Sequence, residues 1–228
     1  MLPNWVLFFL NGICHRNPAH ALSTGGMPTL LCARCTGLFC ASVLVLLLLA
    51  LAGLRRHAGG LPPAAHGLAA ALAVWWALDG VNSAAMVWLA RPLAYEPTAA
   101  LRTVTGAGMG MAMALEAWPL AASTLSSVPE PQPAVNSGWE LAGLLASALL
   151  AALLLLSGRL PWILVAVWSL VGVAVAIGGA NVLLLVLLTN SGRARFTGCR
   201  RIALVLGGLG LALIETGGLA WVRALTGT

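Results

Sequence analysis

Long apolar stretches dominate the chain, and short segments containing proline, glycine or arginine separate them. A helix that crosses a bilayer needs about 20 mostly apolar residues. Six stretches meet this requirement, at about residues 36–54, 67–89, 103–122, 139–157, 161–189 and 202–221. Helix-breaking prolines lie at the junctions, namely Pro62, Pro63, Pro92, Pro97 and Pro161. The pattern predicts an all-α integral membrane protein, a bundle of about six transmembrane helices.

The apolar segment at residues 4–13 is too short to cross a bilayer. Its aromatic residues Trp5, Phe8 and Phe9 favour the headgroup zone, so we expect an interfacial or re-entrant segment. The segment has neither a basic start nor a small-residue cleavage site, and we therefore expect no cleavable signal.

Composition supports the membrane assignment. The 228 residues are 60% apolar and only 8% charged, whereas soluble domains carry about 25% charged residues. The net charge of +6 comes from scattered arginines, without a basic stripe interleaved with aromatics. This argues against a nucleic-acid partner and leaves the lipid bilayer as the expected one.

A proline-rich stretch divides the chain. Residues 128–133 alternate proline with other residues, which favours a stiff, extended linker. We therefore expect a first membrane domain at 1–125, a linker at 126–138 and a three-span membrane segment at 139–228. The two sides of the predicted bundle carry equal numbers of arginines, but those on one side cluster in loops next to span ends, where the positive-inside rule is strongest. We therefore expect these loops to be cytoplasmic and the cysteines to face outward; the clustered arginines are Arg55, Arg56, Arg193, Arg195, Arg200 and Arg201.

Cysteine and histidine concentrate just before the first long apolar stretch. The spacing Cys32-x-x-Cys35 lets two sulfur atoms face one centre, as in zinc–thiolate sites. A third ligand would come from Cys14 or His15, because adjacent residues usually point in different directions. His20 or a water molecule would take the fourth position. The sequence therefore predicts a metal site, with zinc the first choice and an iron–sulfur centre or no metal as alternatives.

Thiol–disulfide chemistry is the main rival. Arg34 lies between Cys32 and Cys35, and a nearby cation favours the thiolate. These two cysteines would form the redox pair of a thiol- or quinone-coupled oxidoreductase, with Cys14 as the resolving thiol. Cys40 is expected to be a packing residue.

Several charged residues fall inside the predicted spans. Asp79 needs a partner or a wet cavity, because a carboxylate at the bilayer centre is costly. An Asp79–Arg102 pair would form if the second and third spans make a hairpin. Glu215 and Glu116 are candidate proton-carrying groups or neutral buried acids. Tryptophans near Asp79 offer a lining for a lipid tail or quinone, or ordinary packing; they are Trp75, Trp76 and Trp88.

The joint pattern resembles a known family. Its elements are Cys14-His15-x-x-Pro18, Cys32-Ala33-Arg34-Cys35-Thr36-Gly37, Asp79-Gly80 and Leu101-Arg102-x-x-Thr105-Gly106. Together, over roughly residues 11–112, they are similar to the small multi-pass membrane proteins of bacteria and archaea catalogued as domain of unknown function 2085. The family commonly has glutamine where this chain has Arg16, and arginine–serine where it has His20-Ala21. The resemblance implies a bacterial cytoplasmic membrane location but no assigned activity.

These patterns support three hypotheses. The first is a membrane protein with a Cys/His metal site at one membrane face, either structural or catalytic. The second is the oxidoreductase just described, and the third is a carrier or structural subunit of a membrane complex. Whether the protein is an enzyme stays open, since no phosphate-binding loop after a strand and no Gly-x-Ser-x-Gly motif occurs.

Overall fold

A computed structural model describes residues 3–126, 128–189 and 198–226, and it confirms a predominantly helical membrane bundle. The helices in this part of the chain are α1 (Asn4–Ile13), α2 (Ala33–Leu51), α3 (Pro63–Trp88), α4 (Ala99–Leu125), α5 (Gly138–Leu156), α6 (Trp162–Val173), α7 (Gly179–Leu188) and α8 (Gly198–Thr226). A π-helical turn, Ala174–Gly178, joins α6 to α7 without a break.

Local sequence explains where the helices begin. Thr98 accepts a hydrogen bond from the backbone N–H of Leu101 and so caps α4. Ser137 and Glu140 form a reciprocal capping box at the start of α5. Pro63 occupies the first turn of α3, where its missing N–H costs nothing.

Two short strand pairs lie between helices. Strands β1 (Ala21–Thr24) and β2 (Met27–Cys32) form an antiparallel hairpin that leads directly into α2. Strands β3 (His57–Gly59) and β4 (Glu130–Pro133) pair in parallel. Because β4 lies within the predicted linker, this linker is held against the front half of the chain. The proposed division at 126–138 stays a prediction.

The number of membrane spans is about five rather than six. Five helical segments are long and apolar enough to cross a bilayer: Ala33–Leu51, Pro63–Met86, Gly138–Leu156, Trp162–Leu188 and Ile202–Thr226. The remaining predicted span, 103–122, is the third in chain order and lies in α4. This helix is long enough to cross a bilayer, but it is not among the five. Its sequence carries Arg102, Glu116 and several glycines and threonines. This composition suits a helix packed against protein, and α4 contacts α2, α3 and α5.

Glycines bring α2 and α4 unusually close together. A Cβ atom at Gly106 would overlap the carbonyl oxygen of Arg34, and one at Gly110 would overlap that of Leu38. From the other side, a Cβ at Gly37 would overlap the carbonyl oxygen of Thr103. This close approach presses the first turn of α2 against α4.

Helix α1 packs against α8, and Gly12 of α1 lies against the backbone of Thr216. The side chain of Arg223 in turn donates to the carbonyl oxygen of Asn11. The short N-terminal helix is thus part of the bundle. Of the arginines used to predict orientation, Arg193 and Arg195 lie outside the described residues, so the orientation stays a prediction.

We expect Gly106→Ala to lower the thermal stability of the detergent-purified protein clearly, because overpacking a tight contact costs about 1–3 kcal/mol. Gly143→Ala in α5 is the matched control, since a Cβ there meets no atom within 4 Å. It should leave the melting temperature unchanged or raise it slightly. Equal effects of the two substitutions would show that the α2–α4 contact is not as close as described.

Candidate metal centre

Three chain segments deliver the cysteines to one place. Cys14 ends α1, and its backbone N–H donates to the carbonyl oxygen of Leu10 over 2.9 Å. Cys32 ends β2 and precedes the first residue of α2, and Cys35 lies in the first turn of that helix. The hairpin thus returns the chain to the end of α1. The backbone N–H of Cys32 donates to Cys14 Sγ over 3.3 Å.

The three sulfur atoms lie within 4.8 Å of one another. Cys14 and Cys32 are buried and Cys35 is half-buried. Sulfur ligands lie about 2.3 Å from zinc, so two sulfurs of one tetrahedral site are about 3.8 Å apart. The observed spacing therefore suits a shared thiophilic ion, and it also suits formation of a disulfide after a small movement.

The sulfur atoms interact even without an ion between them. Hydrogen bonds from the thiols of Cys32 and Cys35 lower the pKa of Cys14, against an opposing effect of burial. The same contact with Cys14 raises the pKa of Cys32. Cys14 is therefore the one of the three thiols whose negative charge the neighbouring thiol donors favour.

The two histidines near the site contact each other. His15 Nε2 lies 3.3 Å from His20 Nδ1, and the rings meet edge to face. Burial, and then the charge of Arg102, lower the pKa of His20. Neither histidine belongs to the compact group formed by the three sulfurs among the described residues. Ligation by His15 or His20 stays a prediction.

A buried ion pair lies beneath the thiols. Asp79 of α3 is 0% exposed, and its carboxylate accepts hydrogen bonds from Arg34 Nε, over 3.0 Å, and from Arg34 Nη2. Tyr95 and Thr105 donate to the same carboxylate over 3.0 and 3.3 Å. Arg34 also donates to Ser83 Oγ over 2.8 Å. The residue between the two cysteines of the Cys-x-x-Cys turn is therefore anchored to α3.

This pairing differs from the expected Asp79–Arg102 pair. Arg102 is only 9% exposed, yet its side chain makes no hydrogen bond or ion pair with any residue that the structure describes. The second and third predicted spans do lie side by side, as α3 and α4, but Asp79 pairs with Arg34 and not with the predicted Arg102. Tyr95 and Thr105 were not predicted as partners of this carboxylate. Thr105 carried a signal, because it belongs to the family-like motif that begins at Leu101.

The other membrane acids lie apart from this network. Glu215 of α8 accepts a hydrogen bond from Asn181 of α7 over 2.9 Å. Glu116 lies 2.8 Å from His66, and both side chains are exposed. Cys40 is buried 3.6 Å from Ser169 Oγ, and Cys199 is exposed. Neither of these cysteines belongs to the three-sulfur group.

The tryptophans near Asp79 differ in their surroundings. Trp88 is 82% exposed, whereas Trp76 packs beside the buried cluster that contains Cys14 and Cys32. An apolar cavity of about 410 Å³ lies instead between α1, the α6–π segment and α8. Its walls include Trp5, Phe9, Leu170, Ile177, Leu209 and Leu213.

Comparison with known proteins supports the family resemblance that the sequence motifs indicate. Residues 14–115 match the profile of a family described as "Predicted membrane protein (DUF2085)". The resemblance is confirmed. The matched region contains the three clustered cysteines and the whole Arg34–Asp79 network, so the candidate site lies within the part of the chain that is similar to this family. No curated protein and no solved structure shows a significant match to the chain.

Removing the buried carboxylate should destabilise the protein strongly. We expect Asp79→Ala to lower the free energy of unfolding by about 3–5 kcal/mol, because Arg34 would keep a buried charge without its partner. Glu116→Ala is the control, since the exposed pair with His66 is worth less than about 1 kcal/mol. Unfolding in a denaturing detergent, followed by circular dichroism, measures both; similar losses would contradict the assignment.

Proposed function

We propose that the protein is a multi-pass membrane protein that binds one thiophilic metal ion, zinc in the first place, through Cys14, Cys32 and Cys35. The observation that carries this proposal is the mutual approach of the three sulfur atoms within 4.8 Å. Thiolate ligands favour zinc, copper(I) or iron–sulfur centres over magnesium or calcium. The membrane would be the bacterial cytoplasmic membrane, as the resemblance to the family implies.

Three protein ligands leave one position of a tetrahedral ion to another group. Zinc sites with three protein ligands and a water molecule are typical of catalysis, whereas structural sites have four protein ligands. A catalytic or ligand-binding role is therefore favoured over a purely structural one. In a purely structural site, His20 would move toward Cys14 and become the fourth protein ligand of the metal.

Metal content tests the proposal directly. We expect protein purified in a mild detergent to carry about one metal ion per chain, as measured by inductively coupled plasma mass spectrometry. Cys32→Ser should reduce this content severalfold, because one of the three thiolates is lost. Cys199→Ser, at an exposed cysteine outside the group, should leave it unchanged. Equal metal content in both variants would exclude the site.

Alkylation provides a second test. With metal bound, Cys14, Cys32 and Cys35 should resist a membrane-permeant maleimide until a chelator is added, because coordinated thiolates are poor nucleophiles. Exposed Cys199 should react without chelator and serves as an internal control. Rapid reaction of the three clustered thiols before chelation, in protein that has not been reduced, would contradict metal binding.

Thiol–disulfide chemistry is the second candidate, and the lowered pKa of Cys14 favours it. Two thiols would lose two electrons and two protons to an acceptor such as a quinone and form one disulfide. The apolar cavity offers a place for a lipidic or quinone-like molecule, since Leu10 and Ile13 border both the cavity and the thiol cluster. In this case alkylation would depend on reductant and not on chelator.

A further inference from the structure

Arg102 is largely buried and has no hydrogen-bond or ion-pair partner among the described residues. Its side chain lies in the first turn of α4 and is 9% exposed, and no acceptor contacts it within the part of the chain that the structure describes. Removing a guanidinium from water is costly unless it is paired and hydrogen-bonded. None of its nitrogens is among the fully enclosed polar atoms that lack a hydrogen-bond partner. The guanidinium therefore still reaches solvent, and an anion entering from solvent would supply the acceptor that the described residues do not.

The nearby carboxylate of Asp79 attracts Arg102 but is already engaged by other groups. Arg102 lies within electrostatic range of Arg34, Asp79 and Cys32. Both oxygens of Asp79 already accept hydrogen bonds, from Arg34 and Thr105 on one oxygen and from Tyr95 on the other. Arg34 itself repels Arg102. The carbonyl oxygen of Thr103, the next residue, lies against Gly37, two residues after Cys35. The start of α4 therefore lies beside the turn that carries the thiols.

The charged groups around the thiols carry an excess of positive charge. Three half-buried or buried arginines, Arg16, Arg34 and Arg102, surround the site, whereas Asp79 is the one buried carboxylate among the described residues. The guanidinium of Arg16 is bound by the neutral oxygens of Leu30, Leu7 and Asn11. A divalent ion with three thiolates contributes a single negative charge. One positive charge consequently lacks a counter-charge even when the metal site is filled.

We propose that Arg102 and the open position of the metal together bind one oxygen-bearing anion, a phosphate group. The proposal rests on the metal site proposed above. Zinc accepts an oxygen ligand in its fourth position, and the planar fork of a guanidinium matches two phosphate oxygens. Arg102 lies at the end of the bundle where α3 ends and α4 begins. The source of the phosphate is therefore either a lipid headgroup or a soluble phosphate compound.

Cobalt substitution makes this binding visible. In maltoside micelles, Co²⁺ bound to thiolates gives a near-ultraviolet charge-transfer band and visible bands that report its fourth ligand. We expect inorganic phosphate to shift the visible bands of the wild-type protein saturably. Arg102→Gln should weaken the apparent affinity for phosphate by about tenfold or more, because a charge-assisted hydrogen bond is lost. The charge-transfer band should keep its intensity.

Two further variants make the result specific. Arg102→Lys retains the charge and should recover part of the phosphate affinity. Arg91→Gln removes an exposed arginine from the loop between α3 and α4 and should have no effect. A melting curve of each variant checks folding. Arg102→Gln should not lower the melting temperature, because an unpartnered charge does not stabilise the fold.

A parallel titration distinguishes the sources of phosphate. Phosphatidylglycerol added to micelles in phosphate-free buffer should shift the same bands if a lipid headgroup is bound. A response to inorganic phosphate alone identifies a soluble compound. If the bands respond to neither, or respond equally in Arg102→Gln, the phosphate site is wrong while the metal site stands. If no charge-transfer band forms, both proposals fail together.

Discussion

The buried pair between Arg34 and Asp79 organises this protein. Arg34 is the residue between the cysteines of the Cys-x-x-Cys turn, and Asp79 lies near the middle of the α3 sequence. A carboxylate this deeply buried is tolerated only when it is paired and all its oxygens are hydrogen-bonded. Both carboxylate oxygens of Asp79, on α3, are hydrogen-bonded only if the first turn of α2, the first turns of α4 and the loop with Tyr95 all meet at this residue.

Close helix packing makes this meeting possible. The glycines at positions 37, 106 and 110 allow the backbones of α2 and α4 to touch, and this places Thr105 beside Asp79. Within a membrane, apolar side chains gain little by leaving lipid, so such contacts depend on shape and hydrogen bonding. The thiol cluster thus rests on a rigid base of small residues and one ion pair, not on a large aromatic core.

The thiols themselves are arranged by three elements that differ in kind. A helix end supplies Cys14, a strand end supplies Cys32 and a helix start supplies Cys35. Each is a position where the backbone has unpaired groups, and one of these, the N–H of Cys32, already donates to a sulfur. A site built in this way holds its ligands in place before any ion arrives.

Local sequence was sufficient for the helices, for the short N-terminal segment and for grouping Cys32 and Cys35 with either Cys14 or His15. These features depend on hydropathy over a few turns or on residues that are near one another in the chain. Only the structure places Cys14, and not His15, in the three-sulfur group. The predicted number of spans was one too high because α4 was counted as a span. A helix surrounded by protein does not need the hydropathy of one that faces lipid. The predicted ion pair between Asp79 and Arg102 was wrong for a related reason. Arg34 and Arg102 both approach α3, and only the packing of α2 against α4 decides which of them reaches the carboxylate.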